Sequence, residues 1–333
     1  MTNKKQIALF FGGRGYEHSV SVSGAKNLLS LIDGERYGVY TVFIEKSGKM
    51  RLTTPDLEVG EAVFPILDEG RCALLTESGE RLQIDCAFPL LHGDFGEDGT
   101  IQGLLASCSL PFVGSDTRAS AICLDKAATK ALAEALGIPT VPWRLLTGGE
   151  VLFELELPLF IKPDCLGSSV GASPAHSREE LIAAIQSAAS LGGGRVLAER
   201  LVSPIRELEC AYFSAQGEEI VSYPGEILCD GFYSYERKYS TEAAGTSARA
   251  DVSRELAERM REHTRRLCQA IGVRHLARVD FFLSGDALYL NEVNTMPGMT
   301  ASSLYPRLLE RSGISPAEAI NRMIFDAIAE GAL

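Results

Sequence analysis

The stretch from Leu276 to Thr300, LARVDFFLSGDALYLNEVNTMPGMT, constrains this chain more than any other. Two runs of β-formers, 276–283 and 287–293, flank Ser284-Gly285-Asp286, a glycine-containing turn signal that predicts a hairpin. A three-residue turn pairs Leu283 with Ala287, which sets Arg278 opposite Glu292 and Asp280 opposite Leu290. Side chains alternate between faces along a strand, so Arg278, Asp280, Glu292 and Asn294 share one face. Such an oxygen-rich set suits Mg²⁺, a hard cation that takes one or two carboxylates and completes its shell with water and substrate phosphates. A hairpin with its polar face in solvent is the competing reading. The opposite face, read as Val279, Phe281, Tyr289 and Val293, is apolar, and that favours a strand lining a cleft.

With 333 residues and 46% hydrophobic content the chain can bury a large core and divide into two or three domains. A net charge of −12 argues against nucleic-acid binding, because phosphate contacts need basic patches. The expected partner is a small molecule. Eight cysteines stand singly, without C-x-x-C or zinc-ligand spacing, and read as buried thiols of a reducing compartment. The apolar run Ile7 to Phe11 is too short for a signal peptide, and no stretch approaches the ~20 apolar residues of a membrane span. These features predict a cytoplasmic protein.

Along the chain, Gln6 to Phe11 reads as a strand running into GGRGYEH and then a helix from Ser19 to Leu31, an anion-friendly corner that lacks G-x-G-x-x-G. Glu17 at that corner repels phosphate and welcomes an ammonium. Strands are expected at Tyr40 to Glu45 and Cys86 to Leu91, as in an open α/β sheet, and His92, Glu97 and Asp98 follow the second, where such sheets bind ligands. His92 reads equally well as a packed structural histidine. A short strand at Pro111 to Gly114 closes the first domain, and Ala119 to Leu136 reads as one helix carrying Asp125-Lys126. Strand Pro158 to Pro163 delivers Lys162 at its end, before the small-residue loop DCLGSSVG, able to fold over phosphates. A helix at Glu179 to Ser190 precedes a strand at Arg195 to Leu201, and Glu207 and Glu209 lie on the next one. A polar lid runs from Phe232 to about Ala250, followed by a helix at Arg254 to Ile271 and a closing helix at Ser315 to Glu330.

Taken together, GGRGYEHSVS, LHGDFGEDGTIQG, LDKAATK, FIKPDCLGSSVG, YSYERKY, ARVDFF and LNEVNTMPGMTASSL resemble, in order and over nearly the whole chain, the D-alanine–D-alanine ligase family of ATP-grasp enzymes. The resemblance implies an α/β, three-domain ATP-grasp fold: an N-terminal open α/β domain (1–114), a central subdomain (115–198) and a C-terminal subdomain with metal site and lid (199–333). It implies that ATP activates one D-alanine carboxylate as an acyl phosphate and that the amine of a second D-alanine displaces phosphate. By motif, Lys126, Lys162 and Lys238 would hold ATP phosphates under Ser168, Ser169 and Val170. Glu199 would meet the adenine amine, Leu201 would join the nucleotide contacts, and Glu207 would meet the ribose. Asp280, Glu292 and Asn294 would ligate two Mg²⁺ ions, with Mn²⁺ an alternative. Arg278 and the Gly298 N–H would form the oxyanion hole. Glu17 would bind the first D-alanine's ammonium beside His92 and Glu97, Ser303 and Leu304 would contact the second D-alanine, and Tyr239 would link Glu17 to Ser168. A homodimer is expected from the same resemblance. The chain departs from the family pattern at Gly15, at Ala106 and through the lid after Ser240.

Three rival readings stand beside this one. A non-catalytic ATP sensor could dispense with Arg278 or Glu17, and both are present. A dinucleotide oxidoreductase needs the missing glycine fingerprint. Ligases that use D-serine or D-lactate as second substrate differ by single residues.

Overall fold

The computed structural model describes residues 4–54, 56–68, 71–147, 156–228 and 245–331. In chain order these form β1 (Lys5–Gly12), α1 (His18–Leu31), β2 (Tyr37–Ile44), β3 (Met50–Thr53), β4 (Val59–Asp68), β5 (Arg71–Thr76), β6 (Arg81–Gln83), β7 (Cys86–Leu90), α2 (Thr100–Ser107), α3 (Thr117–Leu124) and α4 (Lys126–Ala135). There follow β8 (Trp143–Thr147), β9 (Leu159–Pro163), β10 (Ser173–Ala175), α5 (Arg178–Leu191), β11 (Arg195–Arg200), β12 (Arg206–Ala215), β13 (Glu218–Val221), β14 (Gly225–Leu228) and β15 (Gly245–Ser247). The chain ends with α6 (Arg254–Ile271), β16 (His275–Ser284), β17 (Ala287–Asn294), α7 (Leu304–Arg311) and α8 (Pro316–Glu330). The expected lid falls largely on 229–244, and Lys238 and Tyr239 with it, outside the described residues.

Three sheets organise these elements. The first has the order β6-β5-β4-β3-β2-β1-β7, with β1 parallel to both β2 and β7. Its centre is apolar on both faces, Ile7 to Phe10 being fully buried, as a strand covered on both sides must be. The second is β10-β9-β11-β8, covered by α5; the third is β15-β14-β12-β16-β17, with β13 pairing β12. Helices α7 and α8 share one core with β1, β7 and β12, joining the first and third sheets. The third sheet's other face carries α3, α4 and α6.

The predicted helix from Ala119 to Leu136 is two helices. Asp125 turns to extended backbone, ψ 100°, and its carboxylate accepts the Ala128 N–H, so it ends α3 and caps α4. That cap places Lys126 at the first position of α4, where its side chain leans back towards the loop after β9. The expected strand at 111–114 is a single bridge between Ala87 and Phe112.

Candidate functional site

The hairpin forms, with a different register from the one predicted. Ser284 pairs with Ala287, so the turn holds two residues, and Gly285 at φ +56° supplies the left-handed conformation. On that register alone Asp280 would face Asn291, and Glu292 would point into the core. A bulge intervenes: Phe281 pairs with Leu290 but Asp280 pairs with Glu292, leaving Asn291 as the extra residue. The shift restores one shared face for Arg278, Asp280, Glu292 and Asn294, all part-exposed, while Val279, Phe281, Leu290 and Val293 are buried. Tyr289 pairs with Phe282 and lies on the cleft side, not on the apolar face where the simple alternation placed it.

On that face Arg278 makes a fork to Asp280, Nε to Oδ1 at 2.8 Å and an Nη to Oδ2 at 2.6 Å. Its Nε is also 3.2 Å from Glu209, which sits opposite Asp280 on β12. Burial alone would lower the arginine's pKa; Asp280 and Glu209 outweigh it and hold the value well above the ordinary one. Asn294 donates its Nδ2 to Asp280 Oδ2 at 3.1 Å, which turns its carbonyl oxygen away from that bond. The cation Lys126 Nζ stands 3.7 Å from Glu292. Two carboxylates and a carboxamide oxygen beside fixed cations form an all-oxygen donor set that fits a hard divalent ion bridged to phosphates.

Lys162 emerges from β9 as predicted, with Nζ 3.1 Å from Asn291 Oδ1 and 3.0 Å from Glu199 Oε2. Glu199, 2% exposed, meets Lys130 with its other oxygen at 2.7 Å. Burial alone would raise the Glu199 pKa, but the ammonium groups of Lys130 and Lys162 outweigh it and hold the carboxylate at about 2, while burial, only partly offset by Glu199, keeps the Lys130 pKa below its ordinary value. The loop after β9 is held from below. Arg195 clamps the fully buried Asp164, whose other oxygen accepts the Ala127 N–H, and Lys126 Nζ donates to Leu166 O at 2.6 Å. Ser168 and Ser169 at its crest have φ +54° and +57°, an uncommon pair for non-glycine residues.

At the far end, Ser168 Oγ donates to Glu17 Oε1 at 2.5 Å. Gly93 and Gly167 flank Glu17 so closely that a Cβ on either would lie 3.3 Å from its Oε2. His92 donates from Nδ1 to Met296 O at 2.9 Å; burial pushes its pKa down, so Nε2 is a neutral acceptor, and it is buried without a hydrogen-bond partner among the described residues. Glu97 accepts the N–H groups of Gly93 and Met296, both at 2.9 Å, tying the first domain to the segment after β17. Burial, reinforced by the Glu17 charge, lifts its pKa to about 7.

A cavity of about 770 Å³ collects Glu17, His92, Glu97, Lys126, Ser168, Arg278, Glu292, Asn294, Gly298, Ser303 and Leu304. A second, smaller pocket shares Lys126, Arg278 and Glu292 with it and adds Lys162, Ser169, Val170, Glu207, Asp280 and Asn291. Glu199 and Leu201 line neither; the Leu201 N–H donates to Pro158 O. Sequence reading passed over Lys130, Asn291 and the role of Glu209. Only Lys130 left a trace, four residues after Lys126 and hence on the same helix face.

Lysines facing an oxygen cluster across a cleft between two sheets, beside an open α/β domain, define an ATP-grasp enzyme. Residues 6–115 match the family described as D-ala D-ala ligase N-terminus, and residues 132–325 match D-ala D-ala ligase C-terminus. A D-alanine–D-alanine ligase of Deinococcus radiodurans is 38% identical, covering 98% of this chain and 99% of its own. The structure of the D-alanine–D-alanine ligase from Coxiella burnetii superposes with a TM-score of 0.88 at 28% identity, covering 99% of this chain and 95% of that one. A D-Ala:D-Ser ligase from Enterococcus faecalis superposes almost equally, with a TM-score of 0.87 at 29% identity over 98% and 100%. The chain belongs to the D-alanine–D-alanine ligase family.

Proposed function

We propose that the protein joins two D-alanines to D-alanyl-D-alanine at the expense of ATP, for peptidoglycan precursor synthesis. The observation that carries this reading is one cavity holding an ammonium-binding carboxylate at Glu17, an anion-binding arginine at Arg278 and the oxygen cluster of Asp280, Glu292 and Asn294 at its edge. Glu17 fixes the first D-alanine by its ammonium, beside the His92 acceptor, and turns its carboxylate towards Arg278. That carboxylate oxygen attacks the γ-phosphorus, ADP leaves, and an acyl phosphate results. The second amine, having lost a proton, adds to the acyl carbon, and the bond to phosphate breaks. Arg278 and the Gly298 N–H stabilise the oxyanion between these events, while Lys126 and Lys162 counter phosphate charge, so catalysis is chiefly positioning and electrostatics. Mg²⁺ or Mn²⁺ held by Asp280, Glu292 and Asn294, as two ions, would supply further charge neutralisation on the phosphates. Leu304, 7% exposed, would present an apolar wall to the second side chain. Lys238 and Tyr239 belong to the same proposal, as lid contacts to phosphate and to the Glu17–Ser168 pair, and Glu199, Leu201 and Glu207 as nucleotide contacts.

Purified protein given ATP, Mg²⁺ and D-alanine should release phosphate and yield a dipeptide by mass spectrometry; ATP turnover that is indifferent to D-alanine would refute the reading. We also propose a cytoplasmic homodimer, checked by light scattering. No helix among the described residues is long and apolar enough to cross a membrane.

A further inference from the structure

Lys130 is fully buried, at 0% exposure, and none of the steps above uses it. It projects from α4, whose apolar face packs against the third sheet, towards Glu199 of the second sheet. Leu197 of β11 pairs with Lys162 of β9, and Glu199 lies two residues further along β11, so Glu199 and Lys162 share a sheet face. The resulting chain of charges runs Lys130 to Glu199 at 2.7 Å and Glu199 to Lys162 at 3.0 Å, and Lys162 then reaches Asn291 at 3.1 Å. Asn291 is the extra residue of the bulge that turns Glu292 and Asn294 to the cleft.

Lys130 also approaches the bulge directly. An inserted residue breaks the ladder beside it, and here the neighbouring Leu290 finds its partners in the segment containing α4. Its N–H donates to Pro139 O at 2.8 Å, and its carbonyl lies 3.5 Å from Lys130 Nζ. Burying a lysine for stability alone is inefficient, since apolar side chains of similar volume usually do as well. A cation kept at this place therefore implies a use for its charge. Resting on the ligase reading above, we propose that Lys130 is a positioning residue for ATP: through Glu199 it fixes the ammonium of Lys162, and through the Leu290 carbonyl it pins the bulge that presents Glu292 and Asn294.

The full-length enzyme with ATP, Mg²⁺ and D-alanine provides the test. Wild type that fails to ligate defeats the ligase reading, and the tests on Lys130 apply to an enzyme that does ligate. Lys130→Met should raise KM for ATP and weaken ADP·Mg²⁺ binding by calorimetry at least about tenfold while leaving KM for D-alanine within about twofold. Equal shifts for both substrates, or none, would overturn the proposal. Lys130→Arg keeps a displaced cation and serves as second variant should the methionine variant not fold; its ATP KM should rise without a change for D-alanine, and an unchanged ATP KM counts against us. The double variant of Lys130→Met with Glu199→Gln should lose less than the product of the two single losses, because one of the two routes from Lys130 runs through Glu199. Losses that multiply would show that Lys130 does not act through Glu199.

Discussion

Ser168 and Glu17, 151 residues apart, share a 2.5 Å hydrogen bond that joins the loop over β9 to the corner after β1. The contact holds a carboxylate at one end of the cavity and ties the crest of the loop after β9 to it. Glu17→Gln keeps the shape and removes the charge. Loss of a charge-assisted bond to the substrate ammonium should raise KM for the first D-alanine by about 10- to 100-fold. Initial rates against D-alanine at saturating ATP measure this, and ATP affinity should be nearly unchanged.

Asp280 and Glu292 face each other only because Asn291 is extra in its strand. Glu292→Ala and Asp280→Ala are each expected to abolish turnover with the fold intact, since both residues are part-exposed on the cleft face and either loss leaves phosphate charge uncompensated. Rates across a Mg²⁺ titration, with circular dichroism as control, decide the point; wild-type rates at limiting Mg²⁺ would disprove the metal assignment. Deleting Asn291 should do less harm than either, because in a regular ladder the residue after Leu290 faces the cleft, and Glu292 would take that place opposite Asp280. The expected outcome in the same measurements is a folded protein with reduced activity, since Lys162 loses its contact with Asn291.

The hairpin shows what was legible in the sequence and what was not. Strands, turn and the four site residues followed from β-formers flanking glycine and from period-two alternation. The register did not, because two deviations add: a turn shorter by one residue and a bulge of one extra residue shift the pairing by two, which brings back the same face with different partners. Beside the bulge Leu290 bonds to Pro139, 151 residues away in sequence, and local pattern holds no trace of such a contact. The break at Asp125 was readable, as an Asp followed three residues later by a free N–H of a new helix, yet continuous helix formers on both sides concealed it. Lys130 was overlooked for a similar reason: a lysine on a helix reads as solvated until a buried carboxylate from another sheet is found beside it.

Lys162→Met should lower kcat as well as kcat/KM for ATP, by about 10² to 10³ in the latter, if its ammonium meets charge that grows on the transferred phosphoryl group. A change confined to KM would make Lys162 a uniform binding contact. Steady-state kinetics with ATP varied at saturating D-alanine separate the two.

Glu97 gives the stability curve a defined pH window. Its folded value of about 7 lies above the ordinary 4.5, so between those values the folded chain binds more protons than the unfolded one. The stability that the neutral carboxyl contributes is full below about pH 4.5 and is lost as pH rises through 7, a change on the order of 3 kcal/mol. Glu97→Gln cannot ionise, and its carboxamide can accept only one of the Gly93 and Met296 N–H groups. The variant should be less stable than wild type in acid, and the gap should close between about pH 5 and 8. Paired urea titrations across that range measure the difference, and a constant gap would contradict the elevated pKa.

Substrate choice is the last expectation, and it turns on Leu304. This side chain starts α7 next to Ser303, is nearly buried, and leans on Gly225, where an added Cβ would lie 3.1 Å from its Cδ2. It therefore has little room to swing aside for a larger partner. A methyl group packs against such a wall without loss, whereas a hydroxymethyl group loses its water and gains no partner from leucine, a penalty of roughly 1–3 kcal/mol. D-alanine should accordingly be used in the second position about 10- to 100-fold more efficiently than D-serine at neutral pH, with D-lactate used least. The near-equal superposition on a D-Ala:D-Ser ligase does not weigh against this, because the fold is common to both and the wall is one side chain. Competition between D-alanine and D-serine, with products separated by mass, measures the ratio. A predominance of the mixed D-Ala–D-Ser product would mean that Leu304 does not face the second side chain, and Leu304→Ser would then leave the ratio unchanged.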